Sequence, residues 1–174
     1  MAKQQLSDDY LAKIPQGTVP ALILDDGTVL TEVIGICSYL EDLYPEKPLL
    51  GSTALEKAEI ISWDHRLYMM AFLAIAEILR NTSPGFVNRA LPGPLDIEQL
   101  PELAERGRYR LHWAWDELYK ELADRQWIAG DNFSFADIDM AVCASFSGWV
   151  KCKPGEDLAN LQAYLARVQA ELAS

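Results

Sequence analysis

The sequence predicts a mostly α fold, a small α/β portion followed by an all-helical one, from three observations. Gly17-Thr18-Val19-Pro20-Ala21-Leu22-Ile23-Leu24, then Asp25-Asp26-Gly27, then Thr31-Glu32-Val33-Ile34 read as a strand, a tight turn and a helix start, with a short return strand between turn and helix. The prolines and glycine of Tyr44-Pro45-Glu46-Lys47-Pro48-Leu49-Leu50-Gly51 mark a linker. Beyond it, apolar residues recur at helical steps of three and four. With 174 residues, 50% of them hydrophobic, the chain can bury a sizeable core.

Each element has a local reason. A short helix is expected over Ser7 to Lys13. Pro20 lacks an N–H for a ladder, so the Val19–Leu24 strand should carry it at its start or on a sheet edge. An ordinary trans bond is the commoner form; a cis Val19-Pro20 bond would turn the N–H and C=O of Val19 outward, free to pair with an extended peptide-like ligand. Asp26-Gly27 signals a hairpin, with Val29 and Leu30 as the return strand. A helix from Glu32 to about Tyr44 follows, and the backbone amides at its start suit an anion such as a carboxylate. The expected domains are 1–46 and 52–174.

In the second domain, one long helix is predicted from Ser52 to about Asn81, closing before Pro84-Gly85. The loop from Ser83 to Pro94 carries three prolines and two glycines. Leu100, Leu103, Gly107, Leu111, Ala114, Leu118 and Leu122 then share one face of a second long helix, where Gly107 marks the close approach of another helix. Ser134-Phe135-Ala136-Asp137 supplies a capping-box variant flanked by Phe133 and Ile138 at the staple positions, which makes Ser134 and Asp137 folding residues. The third helix runs to about Val150, and Asp157 to Glu171 forms the last.

Composition narrows the function classes. Fifteen basic against 26 acidic residues give a net charge of −11, which disfavours nucleic acid and anionic membrane surfaces as partners. No stretch approaches the roughly 18 apolar residues that span a bilayer, and the first residues do not read as a signal-peptide core. A soluble, cytoplasmic protein is the expectation. Cys37, Cys143 and Cys152 form no CxxC pair, and the first two lie in apolar helical patterns as small buried hydrophobes. His65 and His112, the two histidines, have no metal-like spacing, so no metal is expected.

The run Pro15-Gln16-Gly17-Thr18-Val19-Pro20-Ala21-Leu22, with Asp26-Gly27, Glu32-Val33-Ile34 and Tyr39-Leu40-Glu41, resembles the second half of the thioredoxin-like domain of cytosolic glutathione S-transferases, the bacterial ones in particular. The resemblance continues through Arg80-Asn81 with Pro84, Ala90-Leu91-Pro92-Gly93-Pro94, Ala104-Glu105-Arg106-Gly107, Ala129-Gly130-Asp131 and Phe133 to Ile138, in the family's order and over nearly the whole chain. It implies a truncated thioredoxin-like part before an all-helical domain, glutathione as co-substrate, a small-molecule electrophile as second substrate, and a homodimer. By position, Val19 would pair its backbone with the cysteinyl unit of glutathione and a cis Pro20 would hold that geometry. Thr18 would lie near the glycyl end, and Glu32 and Val33 would hold the γ-glutamyl end. Tyr68, Met69, Phe72, Arg108, Tyr109 and His112 are candidates for the pocket of the electrophile, with helix-bundle core as their plainer role.

Three departures from the family pattern bear on the chemistry. Valine stands at Val33, where the family usually has a serine, and Ile14 stands where an asparagine commonly precedes the proline. The strand-helix-strand that carries the family's catalytic Tyr, Ser, Cys or Asn is not in the sequence ahead of Val19, so no catalytic residue is named. The Val19–Leu24 edge is then expected to need cover, from chain that precedes it, from a partner or swapped subunit, or not at all in a reduced fold. Two function classes follow: a glutathione-dependent transferase, and a non-catalytic module of the same scaffold that binds ligands or dimerises.

Overall fold

The computed structural model describes residues 4–173. A short 3-10 turn, Gln4–Leu6, leads into α1, Asp8–Leu11, capped by the Ser7 side chain, which accepts from the Tyr10 N–H. Strands β1, Ala21–Ile23, and β2, Val29–Thr31, pair antiparallel with Ala21 opposite Thr31 and Ile23 opposite Val29. The strand is shorter than expected: Val19 and Pro20 stand ahead of the ladder, joined by a cis peptide bond. The Asp26 carboxylate accepts the Thr28 N–H at 2.8 Å and Gly27 takes a positive φ of 86°, which explains the Asp-Gly turn. Helix α2, Val33–Leu43, follows directly, with Glu32 at its N-cap.

The linker is tied down at both ends. The Glu41 carboxylate accepts the N–H groups of Leu49 and Leu50, and the Leu49 carbonyl accepts the Phe135 N–H at 2.8 Å. Helix α3, Ala54–Leu67, opens on the capping box of Thr53 and Glu56. One π turn, Tyr68–Phe72, joins it to α4, Leu73–Thr82. The single long helix of the sequence reading is therefore continuous but carries one wider turn, which rotates the residues after it by about one position around the axis.

Helix α5, Pro101–Glu121, packs along α4, and Gly107 is where they touch: a Cβ placed there would stand 2.8 Å from the Ala74 carbonyl oxygen. Helices α6, Phe135–Ser147, and α7, Ala159–Leu172, complete the bundle; the last starts later than expected, at Ala159, and a 3-10 turn, Gly148–Val150, extends α6. The core joins Leu67, Ala74 and Ile78 to Leu111, Trp115 and Leu118, and these to Met140, Cys143, Leu161 and Val168. Asp137 sits fully buried at the head of α6. Its carboxylate accepts from the N–H and hydroxyl of Ser134, the Ile128 N–H and the Tyr164 hydroxyl. Burial and Asp137 push the Tyr164 phenol far above its ordinary range, so it stays a donor.

Candidate functional site

The site is built where the front of the chain meets the end of α4. The Ile14 carbonyl accepts the Gly17 N–H at 3.0 Å, closing a turn over Pro15-Gln16 in which Gly17 has φ 61°. A side chain there would press on Leu6, 2.9 Å from its Cβ position, which suits glycine on both counts. The Tyr10 hydroxyl donates to the Thr18 carbonyl, and this bond fixes the segment just before Val19. Val19 is 68% exposed, and neither its N–H nor its C=O is bonded among the described residues. An extended backbone laid beside it would find one donor and one acceptor.

Across the hairpin, Glu32 takes φ 64° and ψ 130°, a backbone conformation that L residues rarely adopt and that is often kept at functional sites. The first amides of α2, from Val33 onward, lack intrahelical acceptors and point out of the helix start. The Val33 side chain is exposed beside them and offers no hydroxyl.

Thr18, Val19, Pro20, Glu32 and Val33 come together around one cavity of about 310 Å³. Every residue that the sequence reading placed on glutathione is therefore in its wall. Four further groups line it: Gln5 and Leu6, Gly17, the guanidinium-bearing Arg80 and Arg89, and Leu91-Pro92-Gly93 of the loop after α4. Arg80 and the loop from Ala90 were legible only as matched family residues and Arg89 was missed, because nothing in the local pattern says that residues 80 and 89 face residue 19. The loop is rigidly built: Gln99 donates to the carbonyls of Arg80 and Ser83, the Leu100 N–H donates to Asn81, and Ala90 and Ile97 bond across it.

None of Tyr68, Met69, Phe72, Arg108, Tyr109 and His112 is in this wall. Tyr68 and Met69 are exposed on the π turn, and Tyr109 and His112 on α5. Phe72 is half-buried, edge-on to Phe146, and Arg108 donates to the Val150 carbonyl at 3.1 Å.

A second cluster lies away from the cavity. Asp64 of α3 and Asp139 of α6 share a hydrogen bond in a half-buried position. Burial, then the bond and charge of Asp64, push Asp139 up to about 8. The thiols of Cys37 and Cys143 nearby are pushed up, first by burial and then by these carboxylates, so they are poor nucleophiles at neutral pH. Among the described residues no three His, Cys, Asp or Glu side chains gather as a metal site, and no helix is long and apolar enough to cross a membrane.

Two family models match the chain: "Glutathione S-transferase, N-terminal domain" over residues 1–48 and "Glutathione S-transferase, C-terminal domain" over residues 67–171. Glutathione S-transferase 2 of Saccharomyces cerevisiae is 32% identical over 162 residues, covering 92% of this chain and 67% of that protein. Glutathione S-transferase GstA of Escherichia coli O157:H7 is 28% identical over 92% of this chain and 72% of its own length. Among solved structures, a glutathione S-transferase domain-containing protein of Marinobacter aquaeolei superposes with a TM-score of 0.84 at 28% identity, covering 96% of this chain and 79% of that one. The mostly helical fold, the motifs and these matches agree, and the chain belongs to the glutathione S-transferase family.

Proposed function

We propose that the chain binds glutathione in the cavity around Val19 and conjugates it through its sulfur to a small electrophile. The observation that carries this is the convergence of Thr18, Val19, Pro20, Glu32 and Val33 on one cavity, with the Val19 backbone groups unpaired among the described residues. The peptide backbone of the cysteinyl unit pairs with Val19. Glu32 meets the α-ammonium, the amides at the start of α2 receive the α-carboxylate, and Thr18 lies towards the glycyl end. In the transfer, the thiol gives up its proton, sulfur forms a bond to the electrophilic carbon, and the leaving group departs with the electron pair of the broken bond. Lowering the thiol pKa from about 8.5 towards neutral raises the thiolate fraction at pH 7 about tenfold or more. The division into a thioredoxin-like domain, 1–46, and a helical domain, 52–174, a homodimer and a cytoplasmic location belong to the same reading.

Val33 lowers the affinity. A missing hydrogen bond to a charged group is worth about 1.5–3 kcal/mol, so Val33→Ser should tighten glutathione binding roughly tenfold to a hundredfold. Isothermal calorimetry with turnover of an activated aryl halide tests both parts. Saturable heat with turnover supports the transferase. Binding without turnover favours the second reading, a ligand-binding or dimeric module, for which Val33 is the specific observation. No heat at millimolar glutathione, in the native chain and in Val33→Ser alike, contradicts glutathione binding.

A further inference from the structure

The cavity has a positively charged wall that the glutathione contacts do not use. Arg80, near the end of α4, and Arg89, in the loop beyond it, both line the cavity and are both half-buried. The Arg80 guanidinium is held by a hydrogen bond, and Arg89 is held through its backbone. Arg80 Nη1 donates to the Arg89 carbonyl at 3.0 Å, and the Phe86 ring lies 4.9 Å from the Arg80 guanidinium and 5.8 Å from that of Arg89. The Arg89 backbone is fixed in turn, its N–H donating to Phe86 and its strand-like pairing to Ile97.

Neither guanidinium has an acid. Among the described residues, ion pairs within 4.0 Å are made by Lys57, Arg66, Arg106, Arg110, Lys120 and Arg125, and by neither Arg80 nor Arg89. Burial, and then the like charge of Arg89, push Arg80 down from its ordinary value, though an arginine remains charged at neutral pH. Two cations that make no ion pair among the described residues therefore line a cavity whose one carboxylate is Glu32. Beside them, Leu91 and Pro92 supply an apolar surface.

We propose that Arg80 and Arg89 form an anion-binding pair that selects electrophiles bearing a carboxylate, with the apolar body of the molecule laid against Leu91 and Pro92. This rests on the glutathione reading for the identity of the co-substrate, but not for the anion site itself. Planar guanidinium groups favour a carboxylate over a neutral ester because each can donate two parallel bonds to it.

The test compares binding of four probes by calorimetry at fixed salt: glutathione, the pair S-(4-carboxybenzyl)glutathione and S-benzylglutathione, and 4-nitrobenzoate alone. Arg89→Gln removes the charge while keeping the backbone bonds of the loop, and Arg89→Lys restores a charge without the planar fork. The native chain should bind the carboxybenzyl conjugate roughly tenfold or more tighter than the benzyl one. Arg89→Gln should abolish that preference, and Arg89→Lys should recover part of it. If glutathione does not bind but 4-nitrobenzoate does, and Arg89→Gln removes it, the anion pair stands while the glutathione reading falls. Equal affinity for the two conjugates together with no binding of 4-nitrobenzoate overturns the pair. So does an equal loss for glutathione and both conjugates in Arg89→Gln, which would put the tripeptide's own carboxylate on the arginines.

Discussion

The front of the chain and the helical remainder bury their apolar side chains very differently. Before Leu50, Ile14 is the one fully buried hydrophobic residue among those described, while Leu50 and the residues after it supply the rest of the core. Val19, Ile23, Val29, Val33, Leu40, Leu43 and Tyr44 are exposed within the same front segment. The front keeps its shape through backbone bonds and turns: the Tyr10 bond to Thr18, the Asp26 turn, the short ladder and the Glu41 clasp on the linker. The helical part keeps its shape by packing. The cavity joins the two kinds of order, an unpaired Val19 backbone from the front and two arginines from the end of α4 and the loop after it. One side offers main-chain groups that substitutions other than proline leave in place, and the other supplies charge that single substitutions can remove.

Substitutions in the bundle should show how far this difference goes. The largest effect is expected at Asp137. Its carboxylate satisfies four buried donors, so Asp137→Ala leaves them without an acceptor and should cost about 3–5 kcal/mol in denaturant unfolding. If the front depended on packing as the bundle does, changes of this size would also be found at Val19 or Val33. Instead, alanine at those exposed positions should move stability by roughly 0.5 kcal/mol or less.

Gly107→Ala comes next. The added methyl would meet the Ala74 carbonyl oxygen and the Ile78 side chain at under 3 Å, so helices α4 and α5 must separate. About 1–3 kcal/mol of overpacking should exceed the roughly 1 kcal/mol of helix propensity that alanine gains. Circular dichroism melts would show a lowered midpoint, and a raised one would mean that the helices yield without cost.

A further stability effect concerns Asp139 and depends on pH. Its folded value is raised to about 8, above the ordinary carboxyl range of the unfolded chain, so the folded state holds a proton that the unfolded state releases. Stability should therefore fall as pH rises from about 4 to about 8. Asp139→Asn removes that dependence, and its melting midpoint should gain on the native chain at pH 8 relative to pH 5. Asp64 on α3, and the Cys37 and Cys143 thiols, are the groups that face Asp139. A native stability that is flat across this window would remove the shared proton.

Much of this difference was written in local signals. Pro20, Asp26-Gly27 and the Pro45–Gly51 linker mark the front's turns because each acts through its own backbone, and the three- and four-residue steps from Leu100 to Leu122 name the face that α5 buries. Gly107 was legible as a contact for the same reason, since glycine on an apolar helix face is unfavourable unless a neighbour needs the space. The Ser134–Asp137 box was also visible, although Tyr164 and Ile128 as further donors were not, because they reach Asp137 from 27 and nine residues away. The π turn at Tyr68–Phe72 left no mark: it contains no proline or glycine, and one extra residue in a turn is set by how α3 and α4 pack on α5 and α6. The site divides in the same way. Thr18 to Pro20 and Glu32-Val33 share one hairpin and could be read together. Arg80 sits near the end of α4 and Arg89 in the loop after it, and the bonds of Gln99 and Leu100 that tie this loop to α4 are tertiary, so no periodicity points from the arginines to Val19.

The account turns on whether the unpaired Val19 backbone and the open start of α2 hold glutathione. Calorimetric titration of the native chain and of Val33→Ser, side by side, measures this most directly. Saturable one-site binding in both, with Val33→Ser tighter by about tenfold to a hundredfold, is the predicted result. The absence of binding in both at millimolar glutathione, with unfolding midpoints showing both chains folded, would contradict it.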